Sequence, residues 1–193
     1  MVKAGDVLVN PILRNRIVFR RTAAETDGES LEFDLFLMPH TYVVLEHMHP
    51  LQEERITVVA GEMRGTMGAV KHRLTAGESI VVPPGVYHYW GNDGEEESHW
   101  IMEMRPALKY ERYIEAVWRV AARGETASNG LPKKLFQSVV IISEFRNEIR
   151  PRMPWLKWKI AVDILAPLGR WLGYSALPTI SIPVEASRTS DGF

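Results

Sequence analysis

Apolar and polar residues alternate through much of the first half of the chain. Leu31, Phe33, Leu35 and Leu37 fall on one face of an extended stretch, with Glu32 and Asp34 on the other. That period of two marks a half-buried β-strand. Phe36 and Met38 make its second face partly apolar, which suits contact with a second sheet or a partner chain. Further strands are expected at residues 7–9 and 17–19, with Asn10-Pro11 turning between them, and at residues 63–67 and 70–74 around Gly68. Residues 79–82 form a short strand between the Gly77-Glu78 turn and the Pro83-Pro84-Gly85 turn. In the strand over residues 98–104, Trp100, Met102 and Met104 are placed inward and His99 opposite. Short alternating strands separated by turn residues predict an all-β barrel or sandwich.

At Pro106 the period changes. Tyr110, Ile114, Val117 and Ala121 form a helical stripe over residues 107–123, Glu111, Arg112, Glu115 and Arg119 are its polar positions, and Gly124 is placed to end it. A polar linker over residues 124–130 leads to a second helix, with Ser128 or Asn129 as its cap, Pro132 in its first turn, and Leu135, Val139, Ile142 and Phe145 as its apolar side. Residues 155–174 are the most apolar helical stretch, with Lys159, Asp163 and Arg170 confined to one narrow stripe and Pro167 expected to kink it. Such a helix is expected to bury most of its circumference. Three environments stay open: packing on the barrel, the second helix or a partner subunit; the surface of a membrane, where contact is possible but not favoured; and a lid over the barrel mouth. The division expected is a barrel over residues 1–106, a helical extension over 107–184 and a disordered tail over 185–193.

Composition narrows the chemistry. The 193 residues include no cysteine, which excludes disulfides and thiolate metal sites. The start of the chain shows no apolar run of signal-peptide type and no stretch is apolar enough for a transmembrane helix, so a cytoplasmic location is the default expectation. Residues 1–130 hold 14 basic and 19 acidic residues, against 9 and 5 in residues 131–193. The basic residues are not massed on one element, which argues against nucleic-acid binding.

Candidate chemistry concentrates in residues 47–92. On an extended chain His47 and His49 point the same way, together with Val43 and Leu45. Pro50, Leu51 and Gln52 break the alternation and allow a reversal. On the next strand Glu54, Ile56, Val58 and Ala60 share a face, which makes Glu54, not Glu53, the inward carboxylate. Val86, His88 and Trp90 share another face. If these hairpins lie side by side in a closed sheet, three imidazoles and one carboxylate meet, a donor set suited to Fe, Zn, Mn, Ni or Cu. His40 and His72 sit among loop or charged residues and are expected at the surface, and the acidic run at residues 95–97 reads as a solvated face.

These two passages resemble the paired motifs of the cupin superfamily. His47, His49, Glu54 and Gly61 fill the first, and Gly77, Pro83, Gly85, His88 and Asn92 fill the second. Thr41 stands where the family pattern opens on Gly. The resemblance covers roughly residues 30–105. It implies a double-stranded β-helix (jelly-roll) barrel, here with a C-terminal α-helical extension, and one divalent transition metal on His47, His49, Glu54 and His88. It also implies pairing of chains through their sheets as a homodimer. The expectation is a mononuclear-metal enzyme of oxygenase, isomerase or lyase type, with dioxygen chemistry if the metal is iron. Glu54 is read either as a ligand or as a catalytic base, and Val43, Leu45, Ile56, Trp90, Met102 and Phe33 as the apolar lining for a small organic substrate. The alternative is a non-catalytic binding or sensor module whose helices dock on a partner or a membrane surface.

Overall fold

A computed structural model describes residues 2–43, 45–177 and 185–186. The alternating stretches form strands β1 (Asp6–Asn10), β2 (Asn15–Arg21), β3 (Leu31–Leu37), β4 (Thr41–Tyr42), β5 (His47–Met48), β6 (Glu53–Ala60) and β7 (Glu62–Met67). They continue with β8 (Val70–Thr75), β9 (Ser79–Val82), β10 (His88–Asn92), β11 (Ser98–Arg105), β12 (Arg150–Pro151) and β13 (Glu185–Ala186). Two antiparallel sheets result. One runs β13-β1-β2-β3-β11-β6-β9 and the other β12-β5-β10-β7-β8, with β4 also paired to β10.

Register follows the sequence pattern closely in β3 and β11, which pair from Leu31↔Met104 to Leu37↔Ser98. Their inward residues Leu31, Phe33, Leu35, Leu37, Trp100, Met102 and Met104 are all buried, and they join Ile56, Val58, Met63, Leu74 and Trp90 in one core drawn from both sheets. The outward Phe36 is covered within the chain, by the His99 ring at 4.2 Å and the Arg16 guanidinium at 3.7 Å. Gly61 turns β6 into β7 with φ +74°, and a Cβ there would come within 2.9 Å of the Ser98 Cα. Glycine therefore meets both a conformational and a steric need at that corner.

Helix α1 (Tyr110–Ala122) buries the expected stripe and its two glutamates as well. Glu111 accepts a hydrogen bond from the Ala23 amide at 3.0 Å and Glu115 from the Val2 amide at 2.9 Å. These side chains look polar in sequence because their partners are main-chain donors at the far end of the chain. Helix α2 (Leu135–Glu144) begins at Lys134 rather than at Ser128 or Asn129, so Pro132 lies outside it, and Leu135 is exposed.

The last helical segment departs most from expectation. It runs as α3 (Trp155–Lys159), a π-helical stretch (Ile160–Leu165) and α4 (Ala166–Trp171). Among its residues only Ala161, Val162, Ala166 and Gly169 are buried, whereas Trp155, Leu156, Ile164 and Trp171 are between 60 and 81% exposed. A narrow strip of mostly small residues packs on α2, and the wide apolar surface faces out. Of the tail over 185–193, Glu185 and Ala186 pair with β1, and residues 187–193 lie outside the described residues. No helix among the described residues is long and apolar enough to cross a membrane.

Candidate metal centre

The candidate ligands come from both sheets. His47 opens β5 and pairs directly with His88 at the start of β10. His49 follows β5, held where the Gly85 amide donates to its carbonyl at 2.8 Å. Gly85 has φ +78°, so the turn of the second passage fixes the backbone of the first. Glu54 projects from β6 in the facing sheet, between Val82 and Met104. The hairpins therefore meet across the barrel rather than side by side within one sheet.

One ring nitrogen from each of His47, His49 and His88 lies within 4.8 Å of the other two. All three imidazoles are at most 5% exposed, and Glu54 is 2% exposed. The Glu54 carboxylate approaches His88 Nε2 at 3.0 Å and His49 Nε2 at 3.7 Å.

The other ring nitrogen of each histidine is already engaged. His47 Nδ1 lies 2.8 Å from the Leu45 carbonyl, His88 Nδ1 3.0 Å from the Val86 carbonyl, and His49 Nδ1 2.7 Å from the Glu148 carbonyl. A carbonyl only accepts, so each Nδ1 carries the proton and donates. The Nε2 lone pairs are then free, the arrangement metal-bound histidines show. Buried Nε2 of His49 and His88 and Oε2 of Glu54 find no partner beyond their close approaches to one another. Burying such groups unsatisfied costs about 1–3 kcal/mol each. A divalent cation at their meeting point would satisfy all of them, so these residues fit a metal.

Charge at the site divides sharply. Burial, with His49 and His88 close by, holds the His47 imidazole well below its ordinary pKa. Burial also disfavours a charged His88 imidazole, but the adjacent Glu54 outweighs it and the pKa lies above the ordinary value. Burial pushes the Glu54 carboxyl up, yet His88 and His49 hold it well below the usual carboxylate range. Glu54 is thus an anion facing imidazoles, a charge that suits a bound cation.

The predicted apolar lining separates into two groups. Ile56, Trp90, Met102 and Phe33 are packed in the barrel core at 3% exposure or less. Val43 is partly buried against that core. Leu45 is 44% exposed; it lies between the end of β4 at Tyr42 and the start of β5 at His47, so strand alternation does not link it to His47. Leu45 instead lines an outer groove of about 550 Å³ with Leu13, Arg14, Tyr42, Glu46 and Tyr89. Thr41 sits in β4 and donates to the Met38 carbonyl at 2.7 Å. His40 is exposed as expected, while His72 is half-buried with its ring 6.1 Å from Trp90.

Two contributions to the site were not legible in the sequence. Glu148 follows α2, and its main-chain carbonyl orients His49 while its carboxylate accepts from the Lys109 amide at 3.2 Å. The next residues form β12, which pairs with β5 as Arg150↔Met48 and Pro151↔His47. Tyr110, already on the inward stripe of α1, sets its ring edge-on to His49 at 5.2 Å, and burial followed by the Glu54 charge raises its phenol pKa well above the ordinary value. The extension is therefore part of the wall around the histidines.

Comparison with known proteins agrees with this geometry. Residues 34–103 match the family model described as a cupin domain. The chain is similar to protein SchB of Streptomyces halstedii, 32% identical over 63 residues, covering 33% of this chain and 46% of that protein. The chain thus matches less than half the length of that curated relative. Among solved structures it is similar to an RmlC-like cupin from Shewanella frigidimarina, at 20% identity and a TM-score of 0.45, covering 54% of this chain and 86% of that one. A sugar phosphate isomerase of the cupin superfamily from Silicibacter pomeroyi matches at 16% identity and a TM-score of 0.44, covering 50% and 62%. At these identities the likeness does not extend to activity. Residues 34–103 carry a cupin domain, whose histidines are walled in by a helical region that lies outside the match.

Proposed function

We propose that this chain is a mononuclear-metal enzyme acting on a small organic molecule, with His47, His49 and His88 as ligands and Glu54 as fourth ligand or as the base beside them. The observation that carries this reading is the set of three buried imidazoles whose Nδ1 atoms are committed to carbonyls and of which one nitrogen each lies within 4.8 Å of the other two. A bound Fe, Zn, Mn, Ni or Cu ion would supply Lewis-acid polarisation of a substrate oxygen, and iron would add dioxygen chemistry. Glu54, held anionic, would be the group placed to act as a base beside the metal if it is not itself a ligand. Ile56, Trp90 and Met102 are buried in the barrel core, with the Trp90 ring 6.1 Å from that of His88. The groove at Leu45 and Glu46 reaches the residues immediately before His47, which favours approach of a substrate from there. Its Tyr42, Leu45 and Tyr89 suit a partly apolar molecule, and its Arg14 suits an acidic group on it.

Metal analysis of untagged protein tests the reading. About one equivalent supports it, and none after reconstitution with iron, zinc and manganese overturns it. Glu54→Gln then separates the two roles: as base, the variant keeps its metal; as ligand, it loses metal.

One observation favours the second reading, a ligand-binding module. Ser128 and Asn129 of the extension line the same groove, and Arg152 pairs with Glu46 there at 2.6 Å. A ligand in the groove would touch barrel and extension together. Turnover of any groove ligand rules that reading out.

A further inference from the structure

Large apolar side chains normally turn inward and small or polar ones outward. The last helical segment reverses this. Its buried strip is largely Ala161, Ala166 and Gly169, set so close to α2 that a Cβ on Gly169 would meet Val140 Cγ2 at 2.9 Å. Its outward side carries Leu156, Ile160, Ile164, Leu168 and Leu172, between 40 and 63% exposed, with Trp155 at 64% and Trp171 at 81% near the two ends. Small residues at the helix contact and large ones outside is the order found where the surroundings are themselves apolar.

The five aliphatic residues recur every fourth position. On a regular α-helix of 3.6 residues per turn such a series drifts steadily around the axis. The segment passes through a π-helical stretch at Ile160–Leu165, whose wider i→i+5 turn takes more residues and moves the drift back. The local irregularity thus keeps the aliphatic residues near one line. A contiguous apolar ridge of this size on a water-soluble surface marks an interaction site.

Charge identifies the occupant. Residues 150–174 contain Arg150, Arg152, Lys157, Lys159 and Arg170 against Asp163 as the one acid within the segment; Arg152, Lys159 and Arg170 pair with Glu46, Asp163 and Glu144, and the segment remains net basic. Two copies placed ridge to ridge would bring these cations together. An anionic lipid surface complements them: aliphatic side chains enter the acyl boundary, Trp155 and Trp171 sit at headgroup level, and the lysine and arginine stems reach back to phosphates. No described helix can cross a membrane, so the segment would lie in the interface. We propose that the outward face of Trp155–Trp171 docks the protein on an anionic lipid membrane. The inference is independent of the metal centre.

Co-sedimentation of the full-length protein with vesicles of phosphatidylcholine, with and without phosphatidylglycerol, tests it. The wild type should pellet with the phosphatidylglycerol vesicles and be released by salt. Lys157→Glu with Lys159→Glu should weaken that binding about tenfold or more, since each basic residue near such a surface contributes about 1 kcal/mol. Ile164→Glu with Trp171→Glu should abolish it while circular dichroism stays unchanged, because both side chains are exposed. Three results would overturn the proposal. One is wild-type protein that stays in the supernatant with both vesicles. Another is equal, salt-insensitive binding to phosphatidylcholine alone. The last is a dimer in light scattering that Ile164→Glu splits into monomers without any vesicle binding, which would assign the ridge to a second copy.

Discussion

The barrel and the last helical segment use similar side chains in opposite ways. In β3, Leu31, Phe33, Leu35 and Leu37 all turn inward and are at most 3% exposed. In Trp155–Trp171, tryptophan, leucine and isoleucine turn outward, and alanine and glycine make the internal contact. Periodicity in a sequence reveals that an element has an apolar face. It does not reveal whether the chain itself covers that face. In the barrel the covering is internal and builds a core that encloses the histidines; in the helix it must come from outside.

The sharpest way to break this contrast is to remove a tryptophan from each region. Trp100 is fully buried and its Nε1 donates to Ser98 Oγ at 2.5 Å. Trp100→Ala should cost about 3–5 kcal/mol in denaturant unfolding. Trp171→Ala should change stability by no more than about 0.5 kcal/mol. Comparable losses at the two sites would mean that the helix face is covered within the chain.

A second change asks whether the two regions are coupled at the histidines. Glu148→Ala removes the acceptor of the Lys109 amide and loosens the segment whose carbonyl orients His49. Metal affinity should fall about tenfold, in the range for lost outer partners of metal-bound histidines, with about 1–3 kcal/mol of stability. Glu148→Gln keeps an acceptor oxygen and should restore most of both. Unchanged metal affinity in the alanine variant would show that the barrel orients His49 without the extension.

The smallest effect lies on the barrel surface. Arg73 pairs with Glu62 at 2.7 Å and holds its carboxyl below the ordinary 4.5, against a partial opposing effect of burial. A carboxyl depressed in the folded state stabilises the fold above its unfolded pKa, and that contribution is lost as pH falls through the folded value. Glu62→Gln should therefore cost up to about 1 kcal/mol at neutral pH and nothing once acid has protonated the carboxyl. A cost that persists in acid would assign the effect to packing.

Much of the barrel was legible in the sequence because strand alternation is local. The inward sets of β3 and β11 follow from period two alone, as do Glu54, Ile56 and Val58 of β6, whereas Ala60 is exposed where the register with β11 shifts at His99/Trp100; the spacing of His47, His49, Glu54 and His88 named the four side chains that the fold brings together. Leu45 escaped because alternation does not show where a strand leaves its ladder. Glu148 escaped because a main-chain carbonyl has no residue type to betray it, and its partner lies 99 positions away. Burial of the polar Glu111 and Glu115 was not legible because the amides they satisfy belong to the N-terminal segment. The outward face of the last helix was misplaced because its large residues suggested burial, whereas its small ones make the contact.

The most direct test of the metal centre is a cobalt(II) titration of the untagged protein followed by visible absorption, in parallel with His88→Ala. One equivalent of bound cobalt, with ligand-field bands that saturate in the wild type and are lost in the variant, is the predicted result. No bands in the wild type, or the same bands and stoichiometry in His88→Ala, would contradict a metal centre at His47, His49 and His88.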